Sequence, residues 1–226
     1  MRDQMRPLQP GEYAPAFALP SANQEGTVSL ASLHGHPFLI AFFRGLHCPF
    51  CRRQVGQLGS LQPALRAAGV ETVAVINTPV ERARVYFDHR PTPAVLLCDQ
   101  DCSTHRAFGV PYGEFLPEDS SEKPVWPYRA SMEQFEAARI NPTGELPDAL
   151  HPMVANALLN AQDGFELTEV DHATFASHPT QLVGHFLIDG DGIIRWVQIE
   201  ARDGPDSLCT FPNAAEMLAA ASSLRR

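Results

Sequence analysis

In the first half of the chain, short apolar runs of strand length alternate with longer segments of helical periodicity. The run from residue 37 to 43 is apolar on both faces, which is typical of a central strand in a parallel sheet. Apolar positions then repeat every three or four residues from 49 to 68, and Gly69 ends that predicted helix. The pattern predicts a β-α-β-α-β unit with parallel strands and right-handed crossovers. Its further predicted elements are strands at 71–77 and 94–98 and helices at 79–89 and 101–108.

The pattern changes near the C-terminus. Two strand-like segments, 185–189 and 193–199, flank the sequence Gly190-Asp191-Gly192, which predicts a tight hairpin. An amphipathic helix is predicted from 212 to 224. Because antiparallel strands are added to a parallel unit, we expect an α/β fold with a mixed central sheet and helices on both of its faces.

Residues 112–182 lie between these two halves, as an insert within a single domain that spans residues 1–226. Prolines and glycines are frequent there, but aromatic and aliphatic residues are interleaved, which favours an ordered, loop-rich segment over disorder. Helices are predicted near 131–140 and 152–162. The apolar residues of the insert that need burial are Trp126, Tyr128, Met132, Phe135, Ile140, Met153, Leu158, Leu159 and Phe165.

Composition narrows the classes of partner and the compartment. The net charge of −9 argues against nucleic acid or an anionic membrane surface as a partner. The longest apolar run, 37–43, is far too short to span a bilayer, and the N-terminal residues lack the apolar core of a signal peptide. We therefore expect a cytoplasmic protein in which the five cysteines are mostly reduced.

A Cys-x-x-Cys pair follows the first long predicted strand. Cys48 and Cys51 lie where that strand gives way to the helix, with Pro49 at the first helical position, where a missing N–H costs nothing. A helix N-terminus stabilises a thiolate, which is the nucleophilic form of cysteine. The pattern predicts a redox-active dithiol, with the Cys48 sulfur exposed and Cys51 near enough to close a disulfide.

A zinc site is the competing interpretation of the cysteines. Cys98, Cys102 and His105 lie at Cys-x-x-x-Cys-x-x-His spacing, and together with the Cys-x-x-Cys pair they provide enough sulfur and nitrogen ligands for zinc. Burial of these three side chains in a strand and a short helix is the simpler interpretation, so we expect no metal. Cys102 is also a candidate for an additional resolving thiol.

Each of the other notable side chains near the dithiol could have a structural role or a chemical role. Cys209 is expected to be a packing residue, and His47 a solvated side chain that favours a neighbouring thiolate only when protonated. Arg52 and Arg53 fall in the first helical turn. We expect one of them to face solvent and the other to lower the pKa of Cys48 by its charge.

Four segments resemble, in order and spacing, the alkyl hydroperoxide reductase/thiol-specific antioxidant (AhpC/TSA) branch of the peroxiredoxins, within the thioredoxin-like superfamily. They are Gly11 to Leu19, Val28 to Gly35, Leu97 to Val110 and Phe186 to Arg195. The resemblance implies a thioredoxin-like fold. It also implies that Cys48 is the nucleophile and that Cys51 is the resolving thiol of a Cys-Pro-x-Cys variant.

The chain departs from the family pattern at two positions of the site. Gly45 stands where the family has Thr or Ser, three residues before the nucleophile, and Val183 stands where it has an arginine that holds the peroxide and the thiolate charge. The thioredoxin type carries a cis-proline at that second position. Arg44, Arg52 and Arg53 are candidates to replace the missing arginine.

The resemblance implies a cysteine-dependent redox enzyme that reduces peroxides or disulfides through a Cys48/Cys51 cycle. A thioredoxin- or glutathione-like thiol regenerates the dithiol, and no metal or organic cofactor is needed. The alternatives are a dedicated thiol-disulfide oxidoreductase and a zinc-binding or scaffold module. By the resemblance, Val183 begins the strand whose edge faces the dithiol, so the insert is expected to cover the Cys48 pocket as a lid or to form a homodimer interface beside it. A decoration on a distant sheet edge is the alternative.

Overall fold

The computed structural model describes residues 6–117 and 128–224, so Trp126 of the insert lies outside the described residues. The elements of these ranges alternate between strands and helices. The strands are β1 (Ala18–Pro20), β2 (Thr27–Ser29), β3 (Phe38–Phe43), β4 (Glu71–Ile76), β5 (Val95–Cys98), β6 (Glu114–Phe115), β7 (Arg129–Ala130), β8 (Gly184–Ile188) and β9 (Ile194–Ile199). The helices are α1 (Leu30–Leu33), α2 (Pro49–Ala67), α3 (Val80–Asp88), α4 (Ser103–Ala107), α5 (Met132–Ala137), α6 (Pro152–Gln162), α7 (Glu169–Ser177) and α8 (Ala214–Ser223).

A five-stranded mixed sheet forms the centre of the molecule, in the order β5-β4-β3-β8-β9. β3 runs parallel to β4, and β4 parallel to β5, whereas β8 is antiparallel to both β3 and β9. The β8–β9 hairpin thus adds to the parallel unit on the open side of β3. This sheet confirms the predicted α/β class.

The central strand β3 supplies side chains to both faces of the sheet. Leu39 and Phe43 belong to the core formed with α2 and α8, whereas Ile40 and Phe42 belong to the core on the other face, which includes Phe108. This division follows from the two-residue period of a strand. All six residues of β3 are buried, as the continuous apolar run predicts.

The insert begins and ends at the same place. The backbone N–H of Gly113 donates to the carbonyl of Thr180 at 2.7 Å, and that of Leu182 donates to Pro111 at 3.0 Å. Within the insert, β6 pairs with β7, and α6 packs against α2. None of the helices in the described ranges is long and apolar enough to cross a membrane.

Helices α4, α5 and α7 differ from what the sequence predicts. α5 ends at Ala137, because Ala138 takes an extended backbone conformation, so the predicted helix over 131–140 is too long. α4 begins after Cys102, which takes the N-cap position in a left-handed conformation, and not after Asp101. α7 was not predicted. Its signal in the sequence is a capping box, in which Thr168 and Asp171 bind each other's backbone N–H.

Candidate active site

Cys48 occupies the N-cap of α2, immediately after the loop that leaves β3. Its Sγ accepts a hydrogen bond from the backbone N–H of Cys51 at 3.3 Å, and Pro49 takes the first helical position. The strand-to-helix placement expected from the sequence is therefore present. The prediction of an exposed sulfur was wrong, because Cys48 is only 2% exposed.

Three cysteines meet at this point. The thiols of Cys51 and Cys209 both form hydrogen bonds with the Cys48 sulfur. Cys209 follows β9, far from the Cys-x-x-Cys pair in sequence, and its partly buried side chain lines the same cavity as Cys48. Cys209 packs against the core, as expected, and in addition lies beside the Arg44 guanidinium.

The cation of the site is Arg44, the residue directly after β3. Its guanidinium binds both carboxylate oxygens of Glu200 at 2.9 Å and lies 3.3 Å from the Cys209 Sγ, measured from Nη2. Glu200 is fully buried and also accepts hydrogen bonds from the backbone N–H groups of Val183 and Cys209. A charge of either sign is costly to bury alone, so this pairing is what permits a guanidinium beside the thiols.

The position of Val183 explains how the site is built without the family's arginine. Val183 holds Glu200 through its backbone N–H at 2.9 Å, and Glu200 in turn holds Arg44. A guanidinium at the end of β3 is thus linked through Glu200 to residue 183, where the resemblance leads us to expect an arginine.

The two arginines of the first turn of α2 are directed away from the thiols. Arg52 and Arg53 both form ion pairs with Asp163, at 2.7 and 2.8 Å, and the Arg52 guanidinium stacks on the ring of Phe165 at 3.9 Å from its centroid. They hold the end of α6 against α2. The structure therefore favours Arg44 among the three candidates.

The hydrogen bonds and the Arg44 charge give the three thiols different pKa values. Burial raises the pKa of Cys48, but hydrogen bonds from Cys209 and Cys51, with the Arg44 charge, outweigh it and hold that pKa well below its ordinary value. Burial and donation to Cys48 raise the pKa of Cys51 and of Cys209 well above the ordinary value. One thiolate is thus held between two protonated thiols.

His47 is buried in the cavity wall, which corrects the expectation of a solvated side chain. Its ring packs edge-on against Phe175 of α7, with the centroids 5.3 Å apart. Neither ring nitrogen has a hydrogen-bond partner among the described residues. Burial lowers the pKa of His47, so its ring is neutral near neutral pH and carries one N–H.

A cavity of about 270 Å³ opens over Cys48. Arg44, His47 and Cys209 contribute to its wall, and most of the remaining lining is apolar. The insert supplies much of that apolar lining, including the following residues: Phe115, Tyr128, Phe135, Met153 and Phe175. The insert therefore lies over the thiols and not on a distant sheet edge.

Gly45 leaves room that other side chains use. A Cβ at this position would lie 2.9 Å from the side-chain oxygens of Asn77 and Thr78 and 3.0 Å from a methyl group of Thr174. Thr78 uses its hydroxyl to accept a hydrogen bond from the backbone N–H of Leu46 at 3.1 Å, which fixes the loop before Cys48. A Thr at this position would require these neighbouring side chains to move.

The candidate zinc ligands are occupied with other contacts. His105 binds Asp99 through Nδ1 at 2.6 Å and the Phe43 carbonyl through Nε2 at 3.1 Å. Burial raises the pKa of Cys98 and of Cys102 to about 12, so both are unreactive thiols. In residues 6–117 and 128–224, no group of three or more histidine, cysteine or carboxylate side chains is arranged to hold a metal ion.

The site holds a low-pKa thiolate at a helix N-terminus, next to a mixed sheet and beside two further thiols. This arrangement is that of a thiol-dependent oxidoreductase. The sequence matches the AhpC/TSA family over residues 10–197, and the chain belongs to that family. Peroxiredoxin Bcp of Escherichia coli K12 is 30% identical to it over 110 residues, which are 49% of this chain and 69% of that protein. The chloroplastic peroxiredoxin Q of Sedum lineare is 28% identical over 102 residues, 45% of this chain and 54% of that protein.

Solved structures of peroxiredoxins share the fold. Peroxidoxin BcpB of Mycobacterium tuberculosis superimposes with a TM-score of 0.56 at 14% identity, covering 97% of this chain and 99% of that one. AhpC of Enterococcus faecalis gives 0.59 at 13% identity, covering 96% and 92%. The thioredoxin-like fold is confirmed, and the protein is a cysteine-dependent redox enzyme of the peroxiredoxin-like class. The relatives favour neither the dedicated disulfide oxidoreductase nor the zinc module.

Proposed function

We propose that the protein reduces peroxides, with Cys48 as the nucleophile and Cys51 as its resolving thiol. The observation that carries this proposal is the environment of the Cys48 sulfur. It accepts hydrogen bonds from one backbone N–H and two thiols, it lies near the Arg44 guanidinium, and it faces a cavity. A thiolate that is stable at neutral pH and open only to a cavity suits attack on a small oxidant.

In the first step the Cys48 thiolate attacks the terminal oxygen of a hydroperoxide. The O–O bond breaks, Cys48 becomes a sulfenic acid, and the alkoxide or hydroxide that leaves takes a proton. The neutral His47 ring contributes to the cavity wall beside Cys48. The Arg44 charge stabilises the anionic transition state where the family uses an arginine from another strand.

In the second step the Cys51 thiol condenses with the sulfenic acid, so that a disulfide forms and water leaves. A thioredoxin- or glutathione-like thiol then reduces the disulfide in two exchange steps, which return Cys48 and Cys51 to their starting state. The cytoplasm, where such thiols are abundant, is the compartment that suits this cycle.

The cavity lining supports organic hydroperoxides as the preferred substrates. The wall is largely aromatic and aliphatic, and its polar groups gather at the Cys48 end. An apolar organic group would be buried against the insert while the peroxide group meets Arg44 and His47. The insert then acts as a lid over the substrate.

Rapid mixing of the reduced protein with cumene hydroperoxide and with hydrogen peroxide tests the proposal. Cys48→Ser is expected to abolish peroxide consumption, and Cys51→Ser to prolong the sulfenic acid, so that dimedone captures more of it. Cys98→Ser, which alters a buried unreactive thiol, serves as the control. Full peroxide consumption by the Cys48 variant, or faster reaction with a small disulfide than with either peroxide, would refute a peroxidase centred on Cys48.

Phe135→Ala tests the role of the insert. Removing this ring from the cavity wall is expected to slow the reaction with cumene hydroperoxide more than the reaction with hydrogen peroxide, since only the former needs the apolar wall. Equal effects on both peroxides would contradict a substrate-binding lid.

A further inference from the structure

The loop between β9 and α8 holds Cys209 in an unusual conformation. Its backbone φ is 62°, in the left-handed region that few residues other than glycine adopt. Its N–H donates to Glu200, and its sulfur lies 3.3 Å from the Arg44 Nη2. Apolar packing requires neither of these polar contacts, so the sulfur is positioned toward the charge of the site.

Access differs sharply between the two thiols that contact Cys48. Cys51, in the first turn of α2, is 1% exposed and belongs to the core, whereas Cys209 is only partly buried. A reductant must bring its own thiolate onto one sulfur of a disulfide. A bond between Cys48 and Cys51 joins two buried residues, whereas a bond between Cys48 and Cys209 includes one residue that is partly exposed.

We propose that Cys209 is a third redox-active cysteine, which forms a disulfide with Cys48 and presents it to the reductant. This inference rests on the proposed function of Cys48. The Cys209 thiol condenses with the Cys48 sulfenic acid, so that an S–S bond forms and water leaves, as it does with Cys51. The two disulfides interconvert by thiol exchange without any net change in oxidation state.

The contact between Cys48 and Cys209 also determines which sulfur of the disulfide the reductant attacks. An external thiolate attacks the Cys209 sulfur, a mixed disulfide with Cys209 forms, and Cys48 leaves as a thiolate. Thiols of low pKa leave fastest, and Cys48 is the thiol that the site stabilises as an anion. A second external thiol then attacks the mixed disulfide and releases Cys209 as a thiol, so that the two external thiols leave as a disulfide and have supplied the two electrons of the reduction.

Peptide mapping of the oxidised full-length protein tests this proposal directly. After one equivalent of cumene hydroperoxide, we expect a Cys48–Cys209 peptide beside the Cys48–Cys51 peptide. In Cys51→Ser, the Cys48–Cys209 bond is expected to be the main product. Only the double variant Cys51→Ser/Cys209→Ser is expected to hold a sulfenic acid that dimedone captures in full.

Reduction kinetics give a second readout. Oxidised Cys209→Ser is expected to react with glutathione about tenfold more slowly than the wild type, while its oxidation by peroxide remains complete. Cys98→Ser is the control for loss of a thiol, and urea unfolding checks that the variants are folded.

The proposal is overturned if no Cys48–Cys209 peptide forms in Cys51→Ser and glutathione reduces Cys209→Ser at the wild-type rate. Failure of the proposed function has a different signature, since Cys48 would then not be oxidised at all and neither disulfide would appear.

Discussion

Acidification is expected to destabilise the protein through His185, a residue of β8 that lies in the middle of the sheet. Its ring is fully buried and packs against the rings of Phe43 and Phe211, at centroid distances of 5.5 and 6.1 Å. Burial lowers its pKa from 6.5 to about 3, because an imidazolium has no water to solvate it there. The folded protein therefore keeps this ring neutral at pH values where the unfolded chain protonates it.

The sign and size of the effect follow from these two pKa values. Above pH 6.5 neither state binds the proton, and the contribution of His185 to stability is complete. Between pH 6.5 and about 3 only the unfolded state binds it, so stability falls as the pH falls. A pH of about 5 lies roughly 1.5 units below the pKa of the unfolded chain, which corresponds to a loss of about 2 kcal/mol of unfolding free energy.

Urea unfolding of the reduced protein at about pH 7.5 and pH 5 measures this loss. His185→Met removes the titrating group with little change in volume, and the pH-dependent loss in this variant is expected to be about 2 kcal/mol smaller than in the wild type. His36→Met changes an exposed histidine and serves as the control. The same pH dependence in the His185 variant and the wild type would refute the reasoning.

Three further predictions concern the site. Glu200→Gln leaves the Arg44 charge buried without its partner and is expected to lower the unfolding free energy in urea by about 3–5 kcal/mol; a loss below about 1 kcal/mol would contradict a buried ion pair. Gly45→Thr restores the family's side chain but places a Cβ 2.9 Å from two side-chain oxygens. The free energy of unfolding should therefore fall by about 1–3 kcal/mol, and a faster reaction with peroxide would contradict this expectation. Iodoacetamide should label Cys48 before the more exposed Cys209. Arg44→Met should slow the labelling of Cys48 about tenfold, because less thiolate is present. An unchanged labelling rate would show that Arg44 does not stabilise the Cys48 thiolate.

The parts of the site that the sequence predicted are local. The run of β3, Pro49 and the Cys-x-x-Cys spacing are adjacent in the chain, so a strand, a loop and a helix N-terminus determine where Cys48 lies. The α/β class with a mixed sheet followed in the same way from apolar runs and a hairpin signal. These features depend on backbone preferences that a few neighbouring residues determine.

The parts that the sequence left open come from distant pairings. Arg44 meets Glu200 and Cys209 only because β9 returns beside β8, over separations of 156 and 165 residues. His47 is buried by Phe175 of α7, a helix whose apolar spacing is weak. No local pattern around residue 209 distinguishes a packing cysteine from one beside a cation, since the difference lies in what the rest of the fold brings to it.

These separations also determine when the nucleophile becomes reactive during synthesis of the protein. Cys48 leaves the ribosome early, but Glu200, which anchors the activating cation, is made about 150 residues later, and chains are extended from the N-terminus. A nascent chain that stops before β9 therefore carries Cys48 as an ordinary thiol, and iodoacetamide should label it at the rate of a model peptide at neutral pH. The thiol is therefore expected to stay weakly reactive until Glu200 has been added and has paired with Arg44.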